Sequence, residues 1–282
     1  MRHLLRLPVH LAVVAFARSG AQQPAPILLQ GAMQLEVKRL IDSVHVTRID
    51  SIGPWTFAHG TVDGLPVIVS RTLMGGTNAA AATAFAIERY HPRAIINTGT
   101  AGGYDSTLRN GDIVIGVSAT SLGAFRSPPR LANAGSAPAD WVPLDLVPRP
   151  GDRDGDMHVG SVTDLPADSA LLAAAHRARA AVPTMRITDG IIGSADFWNQ
   201  ELDRIALFHQ RWHTAVEDME TAPAAQVARA FGIPFLGVRV VSDNAITGAK
   251  FDRVTADVVQ DFVIRVVHEY RGVAQASSKP PR

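Results

Sequence analysis

Arg93-Ala-Ile-Ile-Asn-Thr-Gly-Thr-Ala-Gly-Gly103 is the stretch of this sequence that decides the fold. Its apolar run is too short for a stable helix and ends in three glycines within five residues, which is typical of a buried strand followed by a tight loop. Ligands of open α/β sheets bind beyond the carboxyl ends of the strands. We therefore expect a binding site at this glycine-rich loop, unless the glycines form only a structural turn.

Two later apolar segments end in acidic side chains. Residues 214–216 run into Glu217-Asp-Met-Glu220, and residues 235–241 run into Ser242-Asp243-Asn244. A third carboxylate, Glu36, falls in the first turn of an amphipathic helix predicted over residues 31–44, where it could also serve only to complement the helix dipole. The sequence predicts that these carboxylates meet at one crevice of the sheet.

Strand and helix patterns alternate over most of the 282 residues, which predicts a single α/β domain over residues 26–272. Asp63-Gly64 predicts a hairpin between strands at residues 55–62 and 66–72, and the glycine pair at Gly75 precedes a helix that ends at Tyr90. Further strands are predicted at residues 26–30, 111–118 and 185–192, and further helices at 168–182, 221–231 and 256–270. Residues 122–157 are rich in proline and lack periodicity, so we expect a surface insertion; residues 273–282 are expected to form a flexible tail.

The composition excludes several classes of function. A net charge of +1 without a Lys/Arg run argues against a nucleic-acid partner, and the absence of cysteine excludes disulfides, thiolate catalysis and Cys-based zinc sites. The sequence also lacks the G-x-G-x-x-G, Walker, G-x-S-x-G and H-E-x-x-H motifs. We therefore expect neither a cofactor nor a metal.

Residues 1–21 combine a basic start, an apolar zone and small residues before a plausible cut after Ala21, which is typical of a secretory signal. The apolar zone is too short and interrupted to span a membrane. We expect an exported, periplasmic or secreted protein. The alternative is a plain N-terminal extension on a cytoplasmic protein.

Phe197 and Trp198 follow the strand at residues 185–192, where they could belong to the core or bind a flat aromatic ligand. Together with Glu36, Glu220 and Asp243, such an aromatic surface suits cleavage of a glycosidic bond. In that reaction one acid protonates the leaving group, a base activates water, and nearby negative charge stabilises an oxocarbenium-like transition state.

The chain resembles the purine nucleoside phosphorylase and uridine phosphorylase superfamily, and within it the 5′-methylthioadenosine/S-adenosylhomocysteine nucleosidases. The resemblance rests on four segments in this order: Gly31-Ala-Met33-x-x-Glu36-Val, Ile96-Asn-Thr-Gly-Thr-Ala-Gly-Gly103, Met219-Glu220 and Arg239-Val-Val-Ser-Asp243. It implies a central mixed sheet flanked by helices and a homodimer.

The resemblance also implies roles for individual residues. Asp243 would protonate a purine at N7, Glu36 would activate water, and Met219 with Glu220 would hold the ribose. Phe197 would stack on the base while the Trp198 backbone reads its edge, Thr100 and Arg239 would order the water, and Phe251 would close the site. Met33 and Gly75, in the two glycine-containing loops before helices, complete the predicted substrate contacts.

The related phosphorylases place an arginine two residues before the first glycine of the loop and another in the first glycine-rich loop, whereas this sequence has Asn97 and Glu36 there. The resemblance therefore implies hydrolysis of a purine nucleoside of the adenosine, 5′-methylthioadenosine or S-adenosylhomocysteine type. Two alternatives stay open: a phosphorylase, and a non-catalytic nucleoside-binding or storage protein.

Overall fold

A computed structural model describes residues 24–277, with side chains as far as residue 271. The predicted signal segment, residues 1–21, lies outside these residues. Within residues 24–277, no helix has both the length and the apolar character needed to cross a membrane.

The described chain alternates strands and helices. Its helices are α1 (Gln34–Ser43), α2 (Gly76–Tyr90), α3 (Ser169–Ala180), α4 (Leu202–Trp212), α5 (Thr221–Ala230) and α6 (Thr255–Ser277). Its strands are β1 (Ile27–Gly31), β2 (His45–Ile52), β3 (Trp55–Val62), β4 (Leu65–Arg71), β5 (Ala94–Gly103), β6 (Ile113–Ser121), β7 (Phe125–Arg126), β8 (Val142–Asp145), β9 (His158–Val159), β10 (Asp164–Pro166), β11 (Ile187–Ser194), β12 (Thr214–Asp218) and β13 (Phe235–Asp243). The strands and helices predicted from apolar patterning are confirmed with shifts of at most three residues at their ends, except that α6 continues to Ser277, into the tail predicted to be flexible from residue 273. Strands β2 and β7 to β10 and helix α4 were not predicted.

Ten strands form one mixed sheet in the order β10-β6-β11-β12-β5-β1-β4-β3-β2, and β13 pairs with both β5 and β6. Strand β5 is parallel to β1 and β13 but antiparallel to β12. The pairs β5–β12, β12–β11, β11–β6, β6–β13 and β13–β5 close a ring of five strands. The predicted α/β class with a central mixed sheet flanked by helices is confirmed.

Helices cover both faces of the sheet because its central strands are apolar on both sides. In β1, Ile27 and Leu29 pack with residues of α1, α3 and α6, whereas Leu28 packs with residues of α2 and α5. Successive side chains of a strand point to opposite faces, so one short apolar segment supplies both layers of the core. This burial holds the carboxyl ends of β1, β5 and β13 in fixed positions.

The hairpin predicted at Asp63-Gly64 is confirmed between β3 and β4. Both residues have positive φ angles, 48° and 77°, as a two-residue turn of type I′ requires. The edge strand β2 pairs with β3, and most of its side chains are exposed. It therefore lacks the apolar signal from which the other strands were predicted.

The glycine-rich loop predicted after the central strand is corrected by the structure. Strand β5 continues through Gly103, because β13 pairs with it as far as Gly102 and β12 pairs with Gly102 and Gly103. Neighbouring strands thus satisfy backbone groups that a loop would have left to water or ligand.

Residues 122–157 contain more structure than their composition predicts. Strands β7 and β8 of this segment form a small separate sheet together with β9, which directly follows the segment. Phe125 stacks on Phe208 of α4 with ring centroids 6.0 Å apart, and the guanidinium of Arg204 lies 5.6 Å from the ring centroid of Trp141. Aromatic and cation–π contacts of this kind stabilise the segment against α4. Such contacts are long-range in sequence, so the periodicity of the segment does not predict them.

Candidate active site

A cavity of about 330 Å³ opens at the carboxyl ends of the central strands. Nine of the eleven predicted site residues line it: Met33, Glu36, Thr100, Phe197, Trp198, Met219, Glu220, Asp243 and Phe251. The other two, Gly75 and Arg239, lie behind the lining. None of residues 122–157 lines the cavity.

The carboxylate of Glu36 is held by four hydrogen bonds. Its Oε2 accepts from the backbone N–H groups of Ala32 and Met33 at 3.0 and 2.9 Å, and its Oε1 accepts from the N–H and Oγ1 of Thr100 at 2.8 and 2.9 Å. The bond from Met33 closes a capping box at the start of α1. Helix capping and β5 together orient the carboxylate towards the cavity.

Gly99 makes this arrangement possible. A Cβ atom at this position would lie 2.8 Å from Glu36 Oε1, so any side chain there would displace the carboxylate. At Gly103 a Cβ would lie 2.5 Å from the side-chain nitrogen of Asn244, the residue after Asp243. Glycine at these two positions of β5 therefore leaves room for the side chains of Glu36 and Asn244. It also keeps the floor of the cavity free of side chains.

Glu220 is buried beside the cavity and has a different environment. Its Oε1 accepts a hydrogen bond of 2.7 Å from the N–H of Gly75, whose φ of 96° suits glycine. Burial, with the charges of Asp218 and Glu36 adding to it, raises the pKa of Glu220 to about 8. Near neutral pH its carboxyl group is therefore largely protonated and can both donate and accept hydrogen bonds.

Arg239, behind the lining, forms a buried ion pair with Asp218, which lines the cavity. Arg239 is 1% exposed, and its Nε donates to Asp218 Oδ2 at 2.6 Å while its Nη1 donates to the carbonyls of Asn97 and Val238 at 3.0 Å. Its Nη2 contacts Asp218 Oδ2 and the side-chain oxygen of Asn97. All its nitrogens are thus engaged by protein groups, and the help that Arg239 is predicted to give in ordering a water of the cavity would act through Asp218; that role stays a prediction.

Asp243 ends β13 and lies where the acidic and aromatic side chains meet. Its Oδ1 accepts a hydrogen bond of 2.8 Å from Ser242 Oγ, and its Oδ2 accepts one of 3.2 Å from the indole N–H of Trp198. The Trp198 ring in turn meets the Phe251 ring edge-on, with centroids 6.0 Å apart. The carboxyl group is thus buried but reachable from the cavity.

The aromatic residues of the cavity are much more exposed than its carboxylates. Phe197, Trp198 and Phe251 are 46%, 60% and 39% exposed. The Arg204 guanidinium lies 5.4 Å from the Phe197 centroid on one side of that ring. Large apolar rings left open around a cavity are typical of a site for a flat organic ligand.

Sequence reasoning assigned no role to five polar residues that also line the cavity: Tyr104, Asn199, Glu217, Asp218 and Ser242. A signal was present for three of them, since Glu217 and Asp218 belong to the same acidic run as Glu220 and Ser242 precedes Asp243. Tyr104 and Asn199 are joined by a hydrogen bond of 2.9 Å across 95 residues. Only the tertiary structure reveals that pairing.

Comparison with known proteins identifies the family of this chain. The sequence model of the phosphorylase superfamily matches residues 26–276. The chain belongs to the phosphorylase superfamily. Its resemblance to this superfamily, stated above from short segments, is confirmed.

Curated relatives in the phosphorylase superfamily are named 5′-methylthioadenosine/S-adenosylhomocysteine nucleosidase. The protein of Shewanella piezotolerans is 32% identical over 230 residues, which cover 79% of this chain and 87% of the relative. The protein of Bacillus cereus is 28% identical over 256 residues, which cover 87% of this chain and 99% of the relative. The similarity thus extends over nearly the whole length of these relatives.

Two solved enzyme structures share the fold of this chain. The nucleosidase of the same name from Neisseria meningitidis, in complex with methylthio-immucillin-A, has a TM-score of 0.68 at 24% identity and is matched over 86% of this chain and 99% of its own. The futalosine hydrolase of Helicobacter pylori has a TM-score of 0.71 at 20% identity, over 86% and 97% of the two chains. At these identities the likeness concerns the fold.

Proposed function

We propose that this protein hydrolyses the N-glycosidic bond of a purine nucleoside and releases the free base and the ribosyl sugar. The observation that carries the proposal is the meeting of Glu36, Glu220 and Asp243 around one cavity with exposed aromatic rings. The names of the curated relatives favour a nucleoside of the 5′-methylthioadenosine or S-adenosylhomocysteine type. An adenosine-type substrate fits the same cavity chemistry.

In the proposed reaction Glu36 removes a proton from a water molecule whose oxygen attacks C1′ of the ribose. The four groups that hold Glu36 are all donors, so they orient its carboxylate as an acceptor, which is what a base requires. The C1′–N9 bond breaks and its electron pair goes to the purine. A proton from Asp243 at N7 neutralises the departing base.

Glu220 and Met219 are proposed to hold the ribose. A carboxyl group that is largely protonated near pH 7 can donate to one ribose hydroxyl and accept from another. Phe197 is proposed to stack on the base, with Trp198 at its edge and Phe251 over the opening. These roles rest on the residues' positions in the lining and on the family resemblance.

The charge of the cavity favours water over phosphate as the nucleophile. Its lining contains five carboxyl groups, those of Glu36, Glu217, Asp218, Glu220 and Asp243, and among the described residues no Lys or Arg lines it. Asn97, where the related phosphorylases carry an arginine, is buried against Arg239. A phosphate dianion would meet the Glu36 carboxylate without a cation in the lining to neutralise it.

The test is a panel of purine nucleosides incubated with the protein in buffers with and without phosphate. Free ribosyl sugar and free base in phosphate-free buffer are the expected products. Formation of sugar 1-phosphate only when phosphate is present would establish the phosphorylase instead. Tight binding of nucleosides without turnover in either buffer would establish a binding protein.

Export and dimerisation are further parts of the proposal. The composition of residues 1–21 supports removal of a signal after Ala21, so the mature protein recovered outside its host's cytoplasm should begin at Gln22 by mass spectrometry. An intact Met1 on cytosolic protein would refute export. The family resemblance supports a homodimer, which sedimentation of the purified protein measures.

A further inference from the structure

Arg204 of α4 is surrounded by four aromatic rings. The distances from its guanidinium carbon to the ring centroids are 4.9 Å for Phe208, 5.4 Å for Phe197, 5.6 Å for Trp141 and 5.8 Å for Phe125. All four lie within the roughly 6 Å over which a cation is attracted to the face of an aromatic ring. The Nε atom of Arg204 is buried and has no hydrogen-bond partner among the described residues. The rings therefore provide the environment of this charge.

The four rings belong to three different parts of the molecule. Phe125 and Trp141 come from the proline-rich residues 122–157, Phe208 comes from α4, and Phe197 comes from the lining of the cavity. Arg204 does not line the cavity, so it reaches the Phe197 ring from outside the lining. Its guanidinium thus connects the insertion directly with the ring that is proposed to stack on the base.

The Phe197 ring has little other support. Its backbone is fixed on both sides, because Asp196 accepts a hydrogen bond of 2.6 Å from the N–H of Gly76 and Asn199 is buried. The ring itself is 46% exposed. Within the described part of the chain, Arg204 is the one group that contacts this ring through an aromatic or cation–π interaction. The orientation of the ring in the free protein therefore depends on Arg204.

We propose that Arg204 is a positioning residue for base binding, because its guanidinium fixes the Phe197 ring in the orientation that stacks on the base. The rings of Trp141 and Phe125 in turn hold the guanidinium in place. The identity of the ligand rests on the proposed function. A ring that is already oriented in the free protein loses less side-chain entropy when the base covers it, so the base binds more tightly. Residues 122–157 thereby affect substrate affinity although none of them lines the cavity.

The experiment measures KM and kcat for 5′-methylthioadenosine in variants of Arg204 and Trp141. Arg204→Met removes the charge but keeps a long side chain, and we expect it to raise KM about fivefold with kcat within twofold of the wild type. Trp141→Ala should raise KM about threefold, because it loosens the guanidinium without removing it. Arg204→Lys keeps a cation near the rings and should recover part of the affinity.

Arg211→Met is the matched control on the same helix. The Arg211 guanidinium lies 5.3 Å from the ring centroid of Trp212, and neither residue lines the cavity. This variant therefore loses a cation–π contact of similar length that does not involve the Phe197 ring. It should keep the wild-type KM and kcat.

A double-mutant cycle distinguishes positioning from a general contribution to the fold. Phe197→Leu removes the ring, so in that background Arg204→Met should leave KM unchanged. The same rise in KM with and without the Phe197 ring would overturn the proposal. If Arg204→Met does not fold, the cycle is run with Trp141→Ala and Phe197→Leu, and the same two outcomes decide.

Binding of adenine separates this inference from the proposed function. Calorimetry should show weaker binding by Arg204→Met than by the wild type, and no such difference when both carry Phe197→Leu. If this pattern holds while no nucleoside is cleaved, hydrolysis fails and the role of Arg204 stands. Equal adenine affinity of the wild type and Arg204→Met overturns the role of Arg204, whether or not nucleosides are cleaved. Failure of the wild type to bind any purine base or nucleoside overturns both.

Discussion

The two ends of the cavity differ in the kind of side chain that lines them and in how far those side chains are buried. We define its acidic end and its aromatic end by their residues: Glu36, Thr100 and Glu220 for the first, Phe197, Trp198 and Phe251 for the second. Glu36 and Glu220 are at least nine-tenths buried and receive hydrogen bonds from backbone groups of β5 and of the segments before α1 and α2. The aromatic side chains are 39% to 60% exposed and contact mainly one another and Arg204.

This contrast separates reactivity from recognition. Groups that move protons need fixed positions, and regular backbone hydrogen bonding supplies them at the acidic end. Rings that stack on a base tolerate exposure, because the ligand itself covers them on binding. Changes at the acidic end should therefore alter kcat, and changes at the aromatic end should alter KM.

The largest effect is expected at Asp243, where the two ends meet. Asp243→Asn removes the proposed acid, but its amide oxygen can still accept from Trp198 and its NH₂ group can donate to Ser242, so the fold should persist. We expect kcat for purine nucleosides to fall by roughly 10² to 10⁴ with little change in nucleoside binding. Steady-state kinetics, with a nitrophenyl riboside as a control substrate whose leaving group needs no protonation, checks this. Purine cleavage within a few-fold of wild type would assign the acid to another residue.

A second prediction concerns the stability of the acidic end. Glu220 has a folded-state pKa of about 8, against 4.5 for the unperturbed group, so between these values the folded protein holds a proton that the unfolded chain has released. Stability from this group therefore falls as pH rises across that interval. Glu220→Gln keeps an acceptor for the Gly75 N–H and has no proton to lose. Between pH 5 and 9 we expect the wild-type Tm to fall by roughly 10 °C more than that of the variant. Parallel Tm profiles would contradict a buried, protonated Glu220.

A smaller effect is expected at Thr100. Thr100→Val keeps the shape of the side chain and the backbone N–H but removes the hydroxyl, so Glu36 loses one of its four donors. A hydrogen bond to a charged group at this position should change kcat about tenfold and leave KM nearly unchanged. Thr100→Ser restores the hydroxyl and should recover most of the rate. An increase in KM alone would place Thr100 in substrate binding instead of in orienting Glu36.

The smallest effect is expected at the aromatic end. Trp198→Phe removes the N–H that contacts Asp243 and keeps a ring against Phe251. Because Trp198 is 60% exposed, its hydrogen bond contributes little to holding Asp243, and Ser242 retains its own bond to that carboxyl group. We expect kcat/KM to change by about threefold or less, mainly through KM. A loss of 10² or more in kcat would show that the indole positions the acid, and the contrast between the two ends would disappear.

Local patterns predicted most of the elements that carry this site. Apolar runs bounded by glycine, proline or acidic residues predicted β1, β5, β12 and β13, and Asp63-Gly64 predicted the turn between β3 and β4. These local patterns did not predict elements that are stabilised mainly by contacts with other elements. Strand β2 has few apolar residues and depends on pairing with β3, and β7 to β9 depend on aromatic contacts with α4.

The features of the candidate site likewise fall into those that local sequence patterns predict and those that depend on tertiary contacts. The sequence by itself determined that Glu36, Glu220 and Asp243 follow buried segments, because short apolar runs can be buried only with their polar ends at the edge of the core. Only the tertiary structure decided that Glu36 takes four donors, that Arg239 turns away to Asp218 and Asn97, and that Glu217 faces Asp243 across Gly102. The position of Glu217 depends on the antiparallel pairing of β12 with β5, and that of Asp243 on the pairing of β13 with β5. The Thr100 bond to Glu36 spans 64 positions, and the Arg239 bonds to Asp218 and Asn97 span 21 and 142, so local sequence patterns carry no trace of them.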